Sequence, residues 1–193
     1  MGLQITRKKD TRVVRAFTHK IADIPGGVTV SVAELSQKVL AEGTAIGKDA
    51  AGLYHVVKVA VLVATAAADA TTYDVAKGHD FKKGDFIMLK EGGKAYAITA
   101  IDASDATKDV ITVGTTLGAA AAKGDALYQA DAESAATASK FKYAPFALVG
   151  ESYDVEPGSN LVVNAWTIGQ IREANIKPLG AVVKAKLTGI QFI

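Results

Sequence analysis

Three histidines, His19, His55 and His79, are the side chains of this sequence best suited to carry a proton near neutral pH. No two of them stand at i, i+4 or in a His-x-His pair, and none sits beside a ligand cluster, so the spacing assigns no metal site. His79-Asp80 is the sharpest candidate for chemistry, set against the commoner reading of a plain loop histidine. Asp102, Asp105 and Asp109 alternate with small residues but lack the central Gly and terminal Glu of a calcium loop, which reads as a hairpin loop. The chain has no Cys, which removes disulfides, thiolate zinc sites, iron–sulfur clusters and Cys nucleophiles together. It also lacks a Gly-x-Ser-x-Gly elbow, a Gly-Lys-Ser/Thr phosphate loop and a Gly-x-Gly-x-x-Gly turn. The expectation is therefore a protein that is not an enzyme, with no catalytic residue, cofactor or metal. A structural or binding role carries more weight.

One aromatic group remains. Tyr143, Phe146, Tyr153 and Trp166 fall in one quarter of the sequence, close to Asp154 and Glu156. A carbohydrate-binding protein or enzyme could use such a set. Aromatics are only 7% of the chain, however, and a lone indole in an alternating strand is usually a core or interface anchor. The subunit-interface reading is preferred.

Charge is distributed unevenly. The chain carries 22 Lys and Arg against 20 Asp and Glu, a net +2. Within residues 1–20, Arg7, Lys8, Lys9, Arg12, Arg15 and Lys20 face Asp10 alone, so this leader is strongly basic and the remainder is slightly acidic. Such a segment reads as an arm for an acidic surface, against the alternative of a solvated leader. Val13, Val14, Phe17, Ile21 and Ile24 are interleaved among the cations, which favours docking. Only Phe17 is aromatic and no RNP or helix-turn-helix pattern is present, so nucleic acid is not the expected partner. The opening lacks the apolar stretch of a secretory signal, and no apolar run reaches the ~20 residues of a membrane span.

The elements that must position these residues are mostly strands. Of 193 residues 35 are alanine, so the 49% hydrophobic content overstates the material available for a core. Residues 28–32 alternate with β-branched side chains; residues 33–42 fit a short helix or a strand at 38–40; residues 54–63 read as one strand. Between two Ala-rich joints, residues 64–72 and 130–139, short apolar runs alternate with Gly and Asp turns, which specifies a small barrel or sandwich. Ile98, Ile101, Val110 and Val113 are its expected interior. Residues 143–149 and 161–169 return to strand, and Pro178, Leu179, Val182, Val183 and Leu187 predict one helix over 178–187, capped by Gly189. The expected fold is mainly β: a basic arm (1–25), a β-rich base (26–64 and 140–193) and a small barrel insert (65–139), with one short C-terminal helix.

Several stretches carry a resemblance. Ala147-Leu148-Val149-Gly150, Val163-Asn164-Ala165-Trp166-Thr167-Ile168-Gly169-Gln170-Ile171-Arg172-Glu173-Ala174 and Val183-Lys184-Ala185-Lys186-Leu187-Thr188-Gly189-Ile190-Gln191-Phe192-Ile193 resemble the head fiber or head decoration proteins of tailed bacteriophages, as in phages and prophages of gut Bacteroidetes. Gly43-Thr44-Ala45-Ile46-Gly47, Gly78-His79-Asp80-Phe81-Lys82-Lys83-Gly84-Asp85, Ala100-Ile101-Asp102 and Thr116-Leu117-Gly118 resemble the same group, so most of residues 43–193 is covered. The resemblance implies an auxiliary capsid protein, made in the bacterial cytoplasm and carried on the phage head exterior. It implies the major capsid protein or other virion proteins as partners, and a homo-oligomer, by analogy a trimer. A tail, baseplate or receptor-binding component is the alternative. With that reading, Arg7, Lys8, Lys9, Arg12, Arg15 and Lys20 are the expected capsid-binding arm. Trp166, Leu179, Val182, Val183, Leu187, Ile190, Phe192 and Ile193 form an apolar set at the chain's end, and they are the expected oligomer interface.

Overall fold

The computed structural model describes residues 15–136, 138–156 and 158–193. The period-two alternation of β-branched and polar residues becomes strand throughout. The chain opens with β1 (Phe17–Asp23), β2 (Val28–Val30), β3 (Val39–Leu40), β4 (Ala45–Lys48) and β5 (Tyr54–Val56). It continues through β6 (Val59–Val61), β7 (Thr72–Ala76), β8 (Phe86–Met88), β9 (Ala95–Asp102), β10 (Lys108–Val113) and β11 (Ala126–Ala130). It closes with β12 (Ala147–Val149), β13 (Tyr153–Asp154), β14 (Leu161–Val163), β15 (Ala165–Ile171), the helix α1 (Gly180–Lys186) and β16 (Ile190–Phe192). The mainly β class with one short C-terminal helix is as expected.

Two large sheets result. The first runs β1-β15-β12-β4-β5-β2-β14, with β16 added in parallel beside β15. Its two ends belong to one bent ribbon: β1 turns into β2, β14 runs into β15, and Ile24 N–H donates to the Ala165 carbonyl at the bend. The sheet therefore curls on itself. The second runs β6-β11-β8-β9-β10-β7, and a bridge from Leu62 to Val75 joins its two end strands. Closure removes the free edges that an open sheet would expose. β3 and β13 form a separate pair on the first sheet's side of the molecule.

Each sheet has its own core. Val30, Leu40, Ile46, Val149 and Val163 fill the first; Leu62, Tyr73, Ile87, Ile98, Ile111 and Leu127 fill the second. A third cluster joins them, with Tyr128, Met88 and Phe141 meeting Leu148, Ile171, Val183 of α1 and the residues that flank the helix, Leu179 and Leu187. Gly180 makes the helix docking possible. It enters at φ +70°, and a Cβ there would lie 2.2 Å from Tyr128 Oη, the atom that accepts the Val182 N–H at 3.2 Å.

Four local expectations change, and at residues 33–42 the strand alternative holds. Residues 17–23, read as arm, are an edge strand of the first sheet. The run 54–63 is two strands in different sheets, because the buried Val57 and Lys58 carry the chain from one to the other. Residues 33–42 contain no helix, only β3. In β10 the buried side is Asp109, Ile111 and Val113 while Val110 faces outward, since residues three apart in a strand point to opposite faces. Gly189 does not cap α1; it lies against β15, where a Cβ would come within 2.3 Å of the Thr167 carbonyl oxygen.

Candidate functional site

The root of the basic segment is fixed by a buried acid. Glu42, 8% exposed, accepts the Ala16 N–H at 3.0 Å and the Phe17 N–H at 3.2 Å, one on each carboxylate oxygen. Arg172 N–H donates to the Ala16 carbonyl and Asn175 Nδ2 to that of Arg15. The two bonds to the Glu42 carboxylate are charge-assisted, a kind about twice as strong as neutral ones. Arg15 itself is exposed and makes a surface pair with Glu151 at 3.5 Å. Lys20 is committed within the chain: its Nζ donates to the Gly150 carbonyl at 2.8 Å and sits 5.4 Å from the Trp166 ring and 5.6 Å from that of Phe17. Arg7, Lys8, Lys9 and Arg12 lie outside the described residues.

The apolar set at the chain's end divides in two. Leu179, Val183, Leu187 and Ile190 are buried within one copy, so they stabilise the chain itself and offer a second copy no surface. Trp166, Val182 and Phe192 are half-buried, and Ile193 is 52% exposed. Trp166 stands 6.4 Å from Phe17 and rests on Gly150, whose missing side chain makes room for the indole. Among the described residues, Ile21, Val39, Phe146, Val162 and Ile168 are the other large apolar side chains left exposed.

Two polar clusters were not legible in the sequence as assemblies. In the first, His55 stacks flat on Tyr143, with ring centroids 4.0 Å apart. Gly47 pairs with His55 across β4 and β5, and a Cβ on it would lie 2.2 Å from the Ala144 carbonyl oxygen. Only glycine lets the 143–144 backbone pass this close. Asp49, whose other oxygen accepts the Ala51 and Leu53 N–H groups, holds His55 Nε2 at 3.2 Å. Glu34 stands on the ring's far side, its Oε2 4.0 Å from Nδ1, and its Oε1 accepts from Lys142 Nζ at 2.8 Å and Tyr143 Oη at 3.1 Å. Burial pushes the Glu34 carboxyl up, but the Lys142 bond and charge, the Lys58 charge and the Tyr143 hydroxyl hold it below its usual value. Burial and the Glu34 charge raise the Tyr143 phenol. The three contributing segments lie far apart in sequence, so no local spacing announces them.

The second cluster contains the dipeptide singled out for chemistry. His79 Nδ1 accepts the Phe81 N–H at 3.2 Å, and Asp80 Oδ1 accepts the Ser36 N–H and hydroxyl at 2.9 and 2.8 Å. Both residues shape a loop that Ser36 ties down. Asp102 and Asp105 cap hairpin turns by accepting the N–H groups of Ser104 and Thr107, while Asp109 is buried beside Lys77. Among the described residues no group of three or more His, Asp or Glu is arranged to hold a metal ion, and no helix is long and apolar enough to cross a membrane.

Comparison with protein-family models, with curated proteins and with solved structures finds no match to this chain.

Tyr153 Oη accepts the Asn164 N–H at 3.0 Å and thereby ties β13 to the bend between β14 and β15.

Proposed function

We propose that this protein is a virion structural protein that binds the outside of a phage capsid as a head fiber or decoration protein. The observation that carries the reading is the rooting of the basic segment. Five cations against one acid precede β1, and the joint at residues 15–17 is clamped to the curled sheet by Glu42, Arg172 and Asn175. A charged segment on a firm root transmits its attraction for an acidic surface to the whole body. The resemblance of residues 43–193 to head decoration proteins points the same way, and so does the mainly β architecture.

A capsid repeats its surface many times, so modest contacts per copy suffice once several copies act together. Oligomerisation, by analogy as a trimer, would draw on side chains that one copy leaves outside its core: Trp166, Phe192 and Ile193 from the chain's end, with Ile21 and Ile168 on β1 and β15. Labelling the chain in intact virions and locating it by negative-stain microscopy tests the reading. Label on the head surface is the expected result; label on tails or baseplates supports the alternative placement.

A further inference from the structure

The loop of residues 77–82 belongs to the second sheet but is tied to the first. Ser36 donates twice to Asp80, Lys177 Nζ donates to the Gly78 carbonyl at 3.0 Å, and Lys82 Nζ donates to the Ala33 carbonyl at 3.3 Å. His79 sets the shape of this loop. Its side chain is 5% exposed, and Nδ1 accepts the N–H of Phe81 two residues on, the geometry of an Asx turn. An imidazole that accepts at Nδ1 carries its single proton on Nε2. Here Nε2 stands 3.3 Å from Asp109 Oδ2 on β10, without the alignment of a hydrogen bond. Asp109 is already engaged by Lys77 Nζ at 2.6 Å.

We propose that His79 is an acid-sensitive latch: neutral, it holds residues 77–82 against Ala33, Ser36 and Lys177, and a second proton, on Nδ1, releases them. An imidazolium has no lone pair for the Phe81 N–H. Protonation therefore breaks that bond and leaves a charge and an unpaired donor in a buried place, an arrangement that opening to water relieves. Four charged groups face the ring. Asp109 and Asp80 favour the imidazolium, while Lys77 and Lys177 oppose it. Burial is the largest effect and, with the two lysines, holds the ring below the ordinary histidine value.

The sign of the pH dependence follows. The released loop binds its proton near the ordinary value of about 6.5 and the closed loop binds it lower. Closure is thus fully favoured above about pH 6.5 and is lost as the pH falls from there through the closed-state value. His79 and Asp80 line a partly open pocket of about 40 Å³, together with Leu40, Val57, Lys58 and Leu179. Release widens this space between the two sheets.

Amide hydrogen exchange of the full chain between about pH 7.5 and 5, corrected for the intrinsic pH dependence of exchange, tests the latch. Protection of Phe81 and its neighbours should fall on acidification, by up to about tenfold per pH unit, the limit for one coupled proton. His79→Asn should keep the protection and lose its pH dependence, because the Asn oxygen can accept the same N–H and does not titrate. An unchanged acid response in His79→Asn, or no response in the wild type, overturns the proposal. Should the variant fail to fold, the NMR titration of the His79 ring in the wild-type chain decides. A midpoint below about 6.5 supports the latch and one at or above it overturns the latch.

Discussion

Glu42 and Gly47 each do something no similar residue could. Glu42 is the acceptor for two buried main-chain donors at the start of β1, so Glu42→Ala leaves Ala16 and Phe17 N–H without partners. A loss on the order of 2–3 kcal/mol is expected in denaturant unfolding, with faster amide exchange at residues 16 and 17 as the local sign. Gly47→Ala forces the 143–144 backbone off β4, at a cost of ~1–3 kcal/mol, and should shift the His55 and Tyr143 ring resonances as their stacking is lost. Glu34 gives a pH prediction. Its carboxyl is held below its usual value in the folded chain, so its contribution is present above the unfolded value of about 4.3 and disappears as the pH falls through the folded one. Glu34→Gln should therefore flatten the acid limb of the stability profile below about pH 4.3; an unaltered limb would show that the pair with Lys142 adds nothing.

At the scale of elements, α1 and β1 show what a sequence carries and what it hides. The helix was legible because Leu179, Val183 and Leu187 repeat at helical spacing after Pro178. What spacing could not say is where that face goes. It docks on Tyr128 of β11, brought near by the fold and not by sequence proximity, so the apolar set reads equally as interface or as core. Strand β1 is hidden by its cations: Lys20 sets its ammonium over the Phe17 and Trp166 rings, so a half-buried strand residue reads as surface charge. The dense turn signals of residues 65–139 announce a small closed sheet, whereas its first strand at Val59 reads as one with β5 because Val56, Val57 and Val59 keep the β-branched texture on both sides of Lys58. The polar cluster around His55 was illegible since Glu34, Asp49 and Tyr143 meet only through the sheet. Leu187→Ala should cost ~2–5 kcal/mol as a core truncation, lowering the thermal midpoint while leaving the mass of the folded species in light scattering unchanged. A clean change of oligomeric mass without loss of stability would return Leu187 to an interface.

For the whole molecule, two curled sheets share a cluster that includes Met88, Tyr128, Phe141, Leu148 and α1, and they should unfold together. Calorimetry of the intact chain is expected to give one transition; two resolved transitions would mark residues 59–130 as an independent unit. Function at this scale turns on one claim, that a basic segment rooted on the first sheet brings the body to a capsid. Co-sedimentation of the full chain with purified empty phage heads tests it most directly, read from about 0.15 to 1 M salt, where the screening length falls from about 8 to 3 Å. The expected result is binding that weakens as salt rises and is reduced when Arg7, Lys8, Lys9 and Arg12 are replaced by Gln. Failure to sediment with heads at the lowest salt, or binding indifferent both to salt and to those four substitutions, would contradict the claim.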